Sequence, residues 1–546
     1  MVINANRSLN LAQKACLNCS TCLAGLFLVY IRIVTNSQVN SPIVETVQGK
    51  IQGLSRDGVL SFRGIPYAKP PINDLRFCEP QDMYSWSEVL ECTSPGPIAP
   101  QNVFELEKIL GAAEFPQNED CLTLNVWTPS LDGKFPVMVW IHGGAFATGT
   151  GRTPWYDGTK LADKQHVVIV TINYRLGALG FCYLGEFDGG RFPTSGINGI
   201  LDQVKSLEWV RDNISNFGGD PSNVTIFGES AGAMSVGTLL GLPKAKGLFK
   251  RAILESGACS HCAPPQKASQ ITTELLKTLG IGMSRVEELA RVPIDKLIEA
   301  QGIVTEIRGA YLSFQPVIDG TYLPKSPLES VREGFASNVE LIVGTNEEEM
   351  KLFGIDDPEL QNVDEDKMIL QMTTLGGQNF DYQESRDLIS AYKSHYPKLD
   401  LGGLWFQMLT DYVFRMPANR LVEAQSNFAN CYYYLFRWAS PSFGGIIGSS
   451  HSLEIPFVFD NLDKRGVDLF TGGDIAQGRE SLAKAMSQSW TSFAKTSIPT
   501  SSEFDQWPVF NSEDRATMVF DINHRVEYDI APHIRKMWDE VDFRCI

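Results

Sequence analysis

The chain has 546 residues, of which 43% are hydrophobic and 20% are charged, a composition typical of globular proteins with a large core. Lys and Arg total 47 against 64 Asp and Glu, so the formal net charge is -17. Because so acidic a surface repels phosphate backbones, nucleic acid is excluded as an expected partner.

The first 40 residues are predicted to be an extension that precedes a folded domain of residues 41–546. Residues 22–34 form an apolar run, broken by Arg32, that is too short for a full membrane span. The run suits the hydrophobic region of a signal peptide or a signal anchor, although no small-residue cleavage motif follows it. The localisation is therefore left open: secretion or anchoring through residues 22–34, or a cytoplasmic protein.

The cysteine count of 11 is odd, so at least one thiol is free or is paired between chains. Cys16, Cys19 and Cys22 are spaced like part of a metal site, but no further Cys or His pair follows at ligand spacing. Cys259 and Cys262 have C-x-x-C spacing outside any thioredoxin-like pattern. We expect ordinary thiols here, with no metal and no organic cofactor.

Short apolar segments alternate with amphipathic helical ones along the rest of the chain. Six segments have the pattern of buried parallel strands: Val137–Ile141, Val167–Ile172, Val224–Phe227, Arg251–Leu254, Leu341–Val343 and Tyr432–Phe436. Helical spacing of apolar residues is found in Ile200–Arg211, Ala268–Leu279 and Glu480–Ala494. This alternation predicts an α/β fold with a mostly parallel central sheet covered by helices on both faces. Functional groups are then expected just beyond the carboxyl ends of the strands.

A glycine-rich segment, HGGAF at residues 142–146, directly follows the strand Val137–Ile141. Its small residues let the backbone approach a ligand closely. Such a segment can direct backbone N–H groups at a negative charge that develops on a bound ligand.

The motif GESAG, residues 228–232, follows the strand Val224–Phe227 and opens a segment of small residues. It matches G-x-S-x-G, the nucleophile elbow, in which a tight turn lifts a serine hydroxyl above the sheet. The strand before the motif and the helix after it supply the context that the motif requires. Ser230 is therefore the predicted nucleophile, and the N–H of Ala231 is the predicted oxyanion donor that follows it.

A serine hydroxyl needs a base, and the base needs an orienting acid. The chain order in this fold is serine, acid, histidine. Three adjacent acids, Glu347, Glu348 and Glu349, follow Leu341–Val343, and spacing alone does not choose among them. Of seven histidines, His451 is the one in a loop soon after a late strand.

Taken in order, these motifs resemble the type-B carboxylesterase/lipase family, which is cholinesterase-like, over roughly residues 41–530, and they look closest to its bacterial carboxylesterases. The residues that carry the resemblance are FRGIPYAKPP (62–71), EDCLTLNVW (119–127), HGGAF (142–146), NYRLGALGF (173–181), GGDPSNVTIFGESAGA (218–233), ILESG (253–257), PVIDG (316–320) and HSLEIPFVF (451–459). The resemblance implies the α/β-hydrolase fold and a serine carboxylic ester hydrolase that works through an acyl-enzyme.

Carried over position by position, the resemblance implies that Glu349 is the triad acid and that Gly144, Ala145 and Ala231 donate to the oxyanion. It also implies a buried Glu229 beside the nucleophile and a hydrogen-bonded Ser256 nearby. Two structural ion pairs follow in the same way, Arg63 with Glu119 and Arg175 with Asp202.

The chain departs from the family pattern at two of its cysteine regions. Cys121 aligns with a half-cystine, but Ala99 stands at the usual partner position, which leaves Cys78 or Cys92 as alternatives. Cys259 and Cys262 lie in the second disulfide region without an obvious distant partner. No disulfide is therefore assigned from the sequence.

Two further departures bear on the substrate and on the site. Residues 102–118 contain no tryptophan, so choline specificity is not expected. Met350 stands where family members often have glycine.

The expected partners are a small or medium ester and water, and the sequence does not give the oligomeric state. The alternatives are a lipase acting on longer acyl esters and a catalytically silent binding or adhesion module. If His451 acts as a neutral base, activity should fall below the ordinary histidine pKa of about 6.5.

Overall fold

The structure, a computed structural model, describes residues 41–102, 115–187, 189–308, 312–354, 362–375 and 380–545. The predicted N-terminal extension, with its cysteine run and the apolar residues 22–34, lies outside these residues, as does most of the stretch 102–118. Within the described ranges, no helix combines the length and the apolar composition that crossing a membrane would require.

The described residues form 14 strands. In chain order they are β1 (Ile43–Glu45), β2 (Lys50–Gln52), β3 (Leu54–Arg56), β4 (Val59–Pro66), β5 (Leu90–Glu91), β6 (Thr123–Thr128), β7 (Phe135–Ile141), β8 (Val168–Ile172), β9 (Gly219–Glu229), β10 (Arg251–Glu255), β11 (Glu340–Asn346), β12 (Cys431–Phe436), β13 (Ala516–Phe520) and β14 (Arg525–Tyr528). An 11-stranded sheet has the order β14-β13-β12-β11-β10-β9-β7-β8-β6-β4-β3, and β1, β2 and β5 form a small second sheet.

Helices cover the large sheet. In chain order they are α1 (Thr159–Gln165), α2 (Gly177–Phe181), α3 (Asn198–Asn213), α4 (Ala231–Gly241), α5 (Pro265–Thr278), α6 (Ile294–Arg308), α7 (Pro327–Arg332), α8 (Lys351–Gly354), α9 (Glu365–Leu375), α10 (Tyr382–His395), α11 (Leu401–Thr410), α12 (Met416–Gln425), α13 (Ile455–Val458), α14 (Val467–Thr471), α15 (Arg479–Thr496) and α16 (Pro532–Met537). A π-helical turn, Asp411–Arg415, joins α11 to α12.

The strands from β8 to β13 in the sheet order pair in parallel, and antiparallel strands lie at both edges. The predicted strands and the three predicted helices are all confirmed, with ends that differ by a few residues. The mostly parallel sheet covered on both faces is therefore the α/β-hydrolase fold that the sequence predicted.

Strand β7 shows why its run of apolar residues is continuous. Val137, Val139 and Ile141 belong to one core cluster, while Met138 and Trp140 belong to the other. Successive side chains of a strand point to opposite faces, so a strand that is covered on both sides must be apolar at every position. Polar functional groups are therefore expected beyond the ends of the central strands, not within them.

A buried ion pair connects the loop after β8 to α3. Arg175 is 2% exposed and Asp202 is fully buried. Nε and Nη2 of Arg175 donate to the two carboxylate oxygens of Asp202 at 2.8 and 2.7 Å. The Arg175 backbone N–H donates to the same carboxylate at 3.0 Å. This pair is the one that the family resemblance implied.

The other implied ion pair, Arg63 with Glu119, is wrong. Arg63 lies on β4, and its Nη2 donates to the carbonyl of Thr93 at 2.7 Å. Glu119 instead accepts from Nε of Arg76 at 2.7 Å. Arg76 follows a short helical turn that carries its guanidinium to Glu119, and sequence alignment alone does not locate that turn.

Cys121 is fully buried. Cys121, Cys78 and Cys92 are all free thiols, so neither alternative partner is bonded to Cys121. Burial raises the pKa of Cys121, which keeps it as an uncharged apolar side chain.

We predict that Asp202→Asn destabilises the protein by about 3–5 kcal/mol, because it leaves the guanidinium of Arg175 buried without a counter-charge. The measurement is the shift of the urea unfolding midpoint, followed by tryptophan fluorescence.

Asp212→Asn is the matched control, since Asp212 lies on the same helix and pairs with Arg211 at the surface. An exposed pair contributes at most about 1 kcal/mol, so this midpoint should hardly move. Equal shifts for the two variants would contradict the role assigned to the buried pair.

Candidate active site

Ser230 connects β9 to α4 in a strained conformation. Its φ is 56° and its ψ is -127°, a backbone conformation that residues other than glycine rarely adopt. The Ser230 N–H donates to the carbonyl of Glu255 at 2.9 Å, and the Ser230 carbonyl accepts from Met234 at 2.8 Å. The turn is therefore fixed from the neighbouring strand and from the helix that it begins.

Glycines around the turn allow the backbones to come this close. A Cβ on Gly232 would lie 2.0 Å from the carbonyl oxygen of Ile141, and one on Gly257 would lie 2.6 Å from that of Ser230. The second glycine of GESAG is thus required by the contact between α4 and β7. No other residue type fits there without moving the strand.

The HGGAF segment lies against the elbow. A Cβ on Gly143 would be 3.1 Å from Cβ of Ser230. Gly144 has a φ of 105° and Ala145 a φ of 53°. Turns of this kind can direct successive N–H groups into a concavity that binds anions. Ala231 is the first residue of α4, where helical N–H groups have no acceptor within the helix.

The loop after β8 holds the HGGAF segment in place. Tyr174 stacks on the imidazole of His142 with ring centroids 4.5 Å apart, and its hydroxyl donates to the His142 carbonyl at 2.8 Å. The N–H of Gly177 donates to the carbonyl of Phe146 at 2.6 Å. Burial lowers the pKa of His142 to about 4, so this imidazole stays neutral near pH 7.

Among the three adjacent acids, Glu349 is the one whose carboxylate contacts His451. Its Oε2 lies 2.7 Å from Nδ1 of His451, and its Oε1 accepts from the N–H of Asn346 at 2.7 Å. Glu347 pairs with Arg437. Glu348 pairs with Lys351 at 2.6 Å. The three acids follow one another in the sequence, and only their tertiary contacts show which of them meets His451.

His451 lies beside the elbow. Its Nε2 is 3.1 Å from Oε1 of Glu229, the residue directly before Ser230. The rings of Phe353 and Phe414 pack against the imidazole, with centroids 5.2 and 4.8 Å away. Ser452 donates its hydroxyl to the same oxygen of Glu229 at 2.7 Å. Glu229, directly before Ser230 in the chain, is thus buried, as the resemblance implied.

A further carboxyl group lies behind the histidine. Glu454 is fully buried, and its Oε2 accepts from Nδ2 of Asn346 at 2.6 Å. Burial, together with Glu229 and Glu349, raises the pKa of Glu454 to about 8. The sequence analysis did not identify Glu454 or Asn346. The signal was present in the apolar context of Glu454, which stands three residues after His451 in HSLEIPFVF.

The surrounding carboxylates change the titration of His451. Burial lowers its pKa, but Glu229, the hydrogen-bonded Glu349 and Glu454 together raise it from 6.5 to about 9. The expectation of about 6.5 assumed an unperturbed imidazole. The structure therefore moves the expected loss of neutral His451 to a higher pH.

Ser256 differs from the implied hydrogen-bonded residue. Its N–H donates to the carbonyl of Gly344 at 2.9 Å, but its buried hydroxyl has no hydrogen-bond partner in the described part of the chain. The φ of 53° at Ser256 sets the direction of the side chain, and a motif does not reveal that angle.

In the described ranges, no three His, Cys, Asp or Glu side chains lie close enough together to hold a metal ion. The chemistry available at the site is that of a serine hydroxyl, an imidazole and carboxyl groups.

A sequence profile of the Carboxylesterase family matches residues 40–538. The chain is 39% identical over 492 residues to the para-nitrobenzyl esterase of Bacillus subtilis (strain 168), a match that covers 89% of this chain and 96% of that protein. It is 34% identical over 504 residues to the phenmedipham hydrolase of Pseudarthrobacter oxydans, covering 90% and 98%.

Solved structures give the same result. The carboxylesterase EST55 of Geobacillus stearothermophilus superposes with a TM-score of 0.83 at 39% identity, covering 91% of this chain and all of that one. A para-nitrobenzyl esterase structure superposes with a TM-score of 0.79 at 37% identity, with the same coverage of both chains.

We predict that Glu454→Gln lowers the pKa of His451. Glu454, with a pKa of about 8, is ionised in the range near pH 9 where His451 titrates, and Gln removes that negative charge while keeping an oxygen that accepts from Asn346. The measurement is a pH titration of carbon-13-labelled histidine by NMR, in which wild-type His451 should titrate well above 6.5.

Glu347→Gln serves as the control, since Glu347 pairs with Arg437 and does not contact the imidazole. Its titration should match that of the wild type. A wild-type midpoint at or below 6.5, or equal changes in both variants, would refute this electrostatic account.

Proposed function

Since the chain belongs to the carboxylesterase family and is a carboxylic ester hydrolase, we propose that Ser230, His451 and Glu349 are its catalytic triad. The observation that carries the proposal is the 2.7 Å contact between Glu349 and Nδ1 of His451. That contact lies beside an elbow whose serine is held in a left-handed conformation. Nucleophile, base and orienting acid are the three parts of this mechanism.

In the first step, Nε2 of His451 takes the proton of Ser230 as its oxygen attacks the ester carbonyl. Glu349 holds the imidazole with its Nδ1 proton inward and stabilises the imidazolium that forms. In the structure Nε2 faces Glu229, and its hydrogen bond to the serine has to form when the ester binds, as is common in such enzymes.

The N–H groups of Gly144, Ala145 and Ala231 stabilise the tetrahedral oxyanion. The oxyanion collapses when His451 protonates the leaving alcohol, which gives the acyl-enzyme. Water then attacks the acyl-enzyme with the same base and the same donors, and the acid is released. Each proton that leaves a nucleophile is delivered to a leaving group, so the site returns to its starting state.

We further propose that the substrates are small and medium soluble esters. The para-nitrobenzyl esterase of Bacillus subtilis, 39% identical to this chain, supports an aromatic alcohol as the leaving group. Phe353 and Phe414 place apolar rings around the imidazole that would protonate this alcohol.

We predict that Ser230→Ala lowers kcat for para-nitrophenyl acetate by about 10⁴-fold or more, because the remaining groups bind the ester without a nucleophile. A fluorophosphonate should add to the full-length protein at Ser230, and no adduct should form in the variant. The readouts are initial rates and the mass of the tryptic peptide that contains GESAG.

Ser222→Ala is the matched control, since Ser222 is an exposed serine on the same strand. It should keep wild-type turnover and labelling. If Ser230→Ala is folded and as active as this control, the assignment of Ser230 is wrong.

We predict that kcat/KM falls steadily along para-nitrophenyl esters from butyrate to palmitate. The measurement is a series of initial rates below the solubility limit of each ester. A maximum at palmitate that appears only when the ester forms an interface would favour the lipase alternative.

A further inference from the structure

Two cysteines far apart in the sequence meet at the surface of the fold. Cys262 lies in the loop between β10 and α5 and is buried, whereas Cys545 is partly exposed. Their sulfur atoms are 3.5 Å apart, although 283 positions separate them along the chain. Neither thiol takes part in the proposed catalytic mechanism.

The C-terminal segment that carries Cys545 is anchored against the rest of the protein. The carbonyl of Arg544 accepts from the hydroxyl of Ser326 at 3.0 Å. Phe543 is buried, and its ring packs against those of Tyr412 and Trp538 with centroids 6.0 and 6.3 Å away. These contacts hold Cys545 beside Cys262, so the two thiols do not meet by chance fluctuation of a free end.

We infer that Cys262 and Cys545 are an oxidation site at which a disulfide joins the C-terminal segment to the loop after β10. A disulfide bond is about 2.05 Å long, so the two sulfur atoms, 3.5 Å apart in the structure, must approach by roughly 1.5 Å for the bond to form. Every cysteine of the described residues is a free thiol in the structure, Cys262 and Cys545 included, so the structure describes the reduced form of this pair.

The two thiols differ in a way that suits thiol–disulfide exchange. The hydrogen bond between the two thiols lowers the pKa of Cys545, burial and the nearby Asp542 oppose this, and the cations Arg544 and Lys267 favour the thiolate. The same hydrogen bond, followed by burial, raises the pKa of Cys262. The accessible Cys545 is therefore the attacking group, and the sheltered Cys262 is the group that closes the bond.

The oxidant is a small-molecule disulfide of the oxidised-glutathione class. The Cys545 thiolate attacks one of its sulfurs, which gives a mixed disulfide and releases one small thiolate. Cys262 then attacks the sulfur of Cys545 and displaces the second small thiolate. The two protein protons go to the two released thiolates, so the protein loses two electrons and two protons while the small disulfide is reduced to two thiols.

The bond would connect the C-terminus to a segment that supports the nucleophile. Gly257 lies under the carbonyl of Ser230, and Cys259 donates its thiol to the carbonyl of Gly237 in α4 at 3.3 Å. A cross-link over so long a stretch restricts the unfolded chain more than the folded one. We therefore expect a higher unfolding temperature in the oxidised protein and an unchanged rate of ester hydrolysis at 25 °C.

The test uses the full-length protein, incubated either with oxidised glutathione or with a reductant. Expected results are a mass lower by about 2 Da, a cross-linked peptide containing Cys262 and Cys545, and an unfolding temperature higher by about 2–5 °C. Addition of dithiothreitol should reverse all three changes.

Cys545→Ser should abolish both the cross-link and the temperature shift while leaving the protein folded, because Cys545 is partly exposed. Cys78→Ser is the matched control, since Cys78 is similarly exposed and its thiol bonds to the Asp74 carbonyl. This control should keep both effects. A lasting glutathione adduct on Cys545, a link between other cysteines, or equal unfolding temperatures in both redox states would overturn the inference.

Discussion

The left-handed backbone at Ser230 is the constraint around which the rest of the site is built. A serine with a φ of 56° is unfavourable by itself and persists only where its surroundings leave no alternative. The hydrogen bond to Glu255, the helix that begins at Ala231 and the contact of Gly232 with β7 supply those surroundings. The central parallel strands therefore stabilise a conformation that places the Ser230 hydroxyl beyond their carboxyl ends.

The position of the HGGAF segment depends on a second set of contacts, which begins further from Ser230. The buried pair of Arg175 and Asp202 fixes the loop after β8, and this loop holds the HGGAF segment through Tyr174 and Gly177. A change at Asp202 would thus be transmitted through the backbone to the proposed oxyanion donors. Stability and the geometry of the site therefore depend on the same contacts.

The fold could be predicted from the sequence because the patterns that indicate it are local. Apolar runs at strand length, helical periodicity and the G-x-S-x-G turn each depend on neighbouring residues, and the structure places them as predicted. Glu454 was not predicted, and Glu119 was wrongly paired with Arg63, because both contacts depend on which side chains meet after the chain has folded. The pH expectation for His451 was too low for the same reason.

The sequence by itself determined the α/β-hydrolase fold, the identity of the elbow serine and the order of serine, acid and histidine along the chain. Only the tertiary structure decided which of three adjacent glutamates meets His451, how the buried carboxyl groups shift its titration, and that Cys262 lies against Cys545. The physical reason is the distance along the chain over which each effect acts. Backbone preferences and periodicity act over a few residues, whereas burial, charge and thiol contacts depend on distances between residues that the sequence keeps far apart.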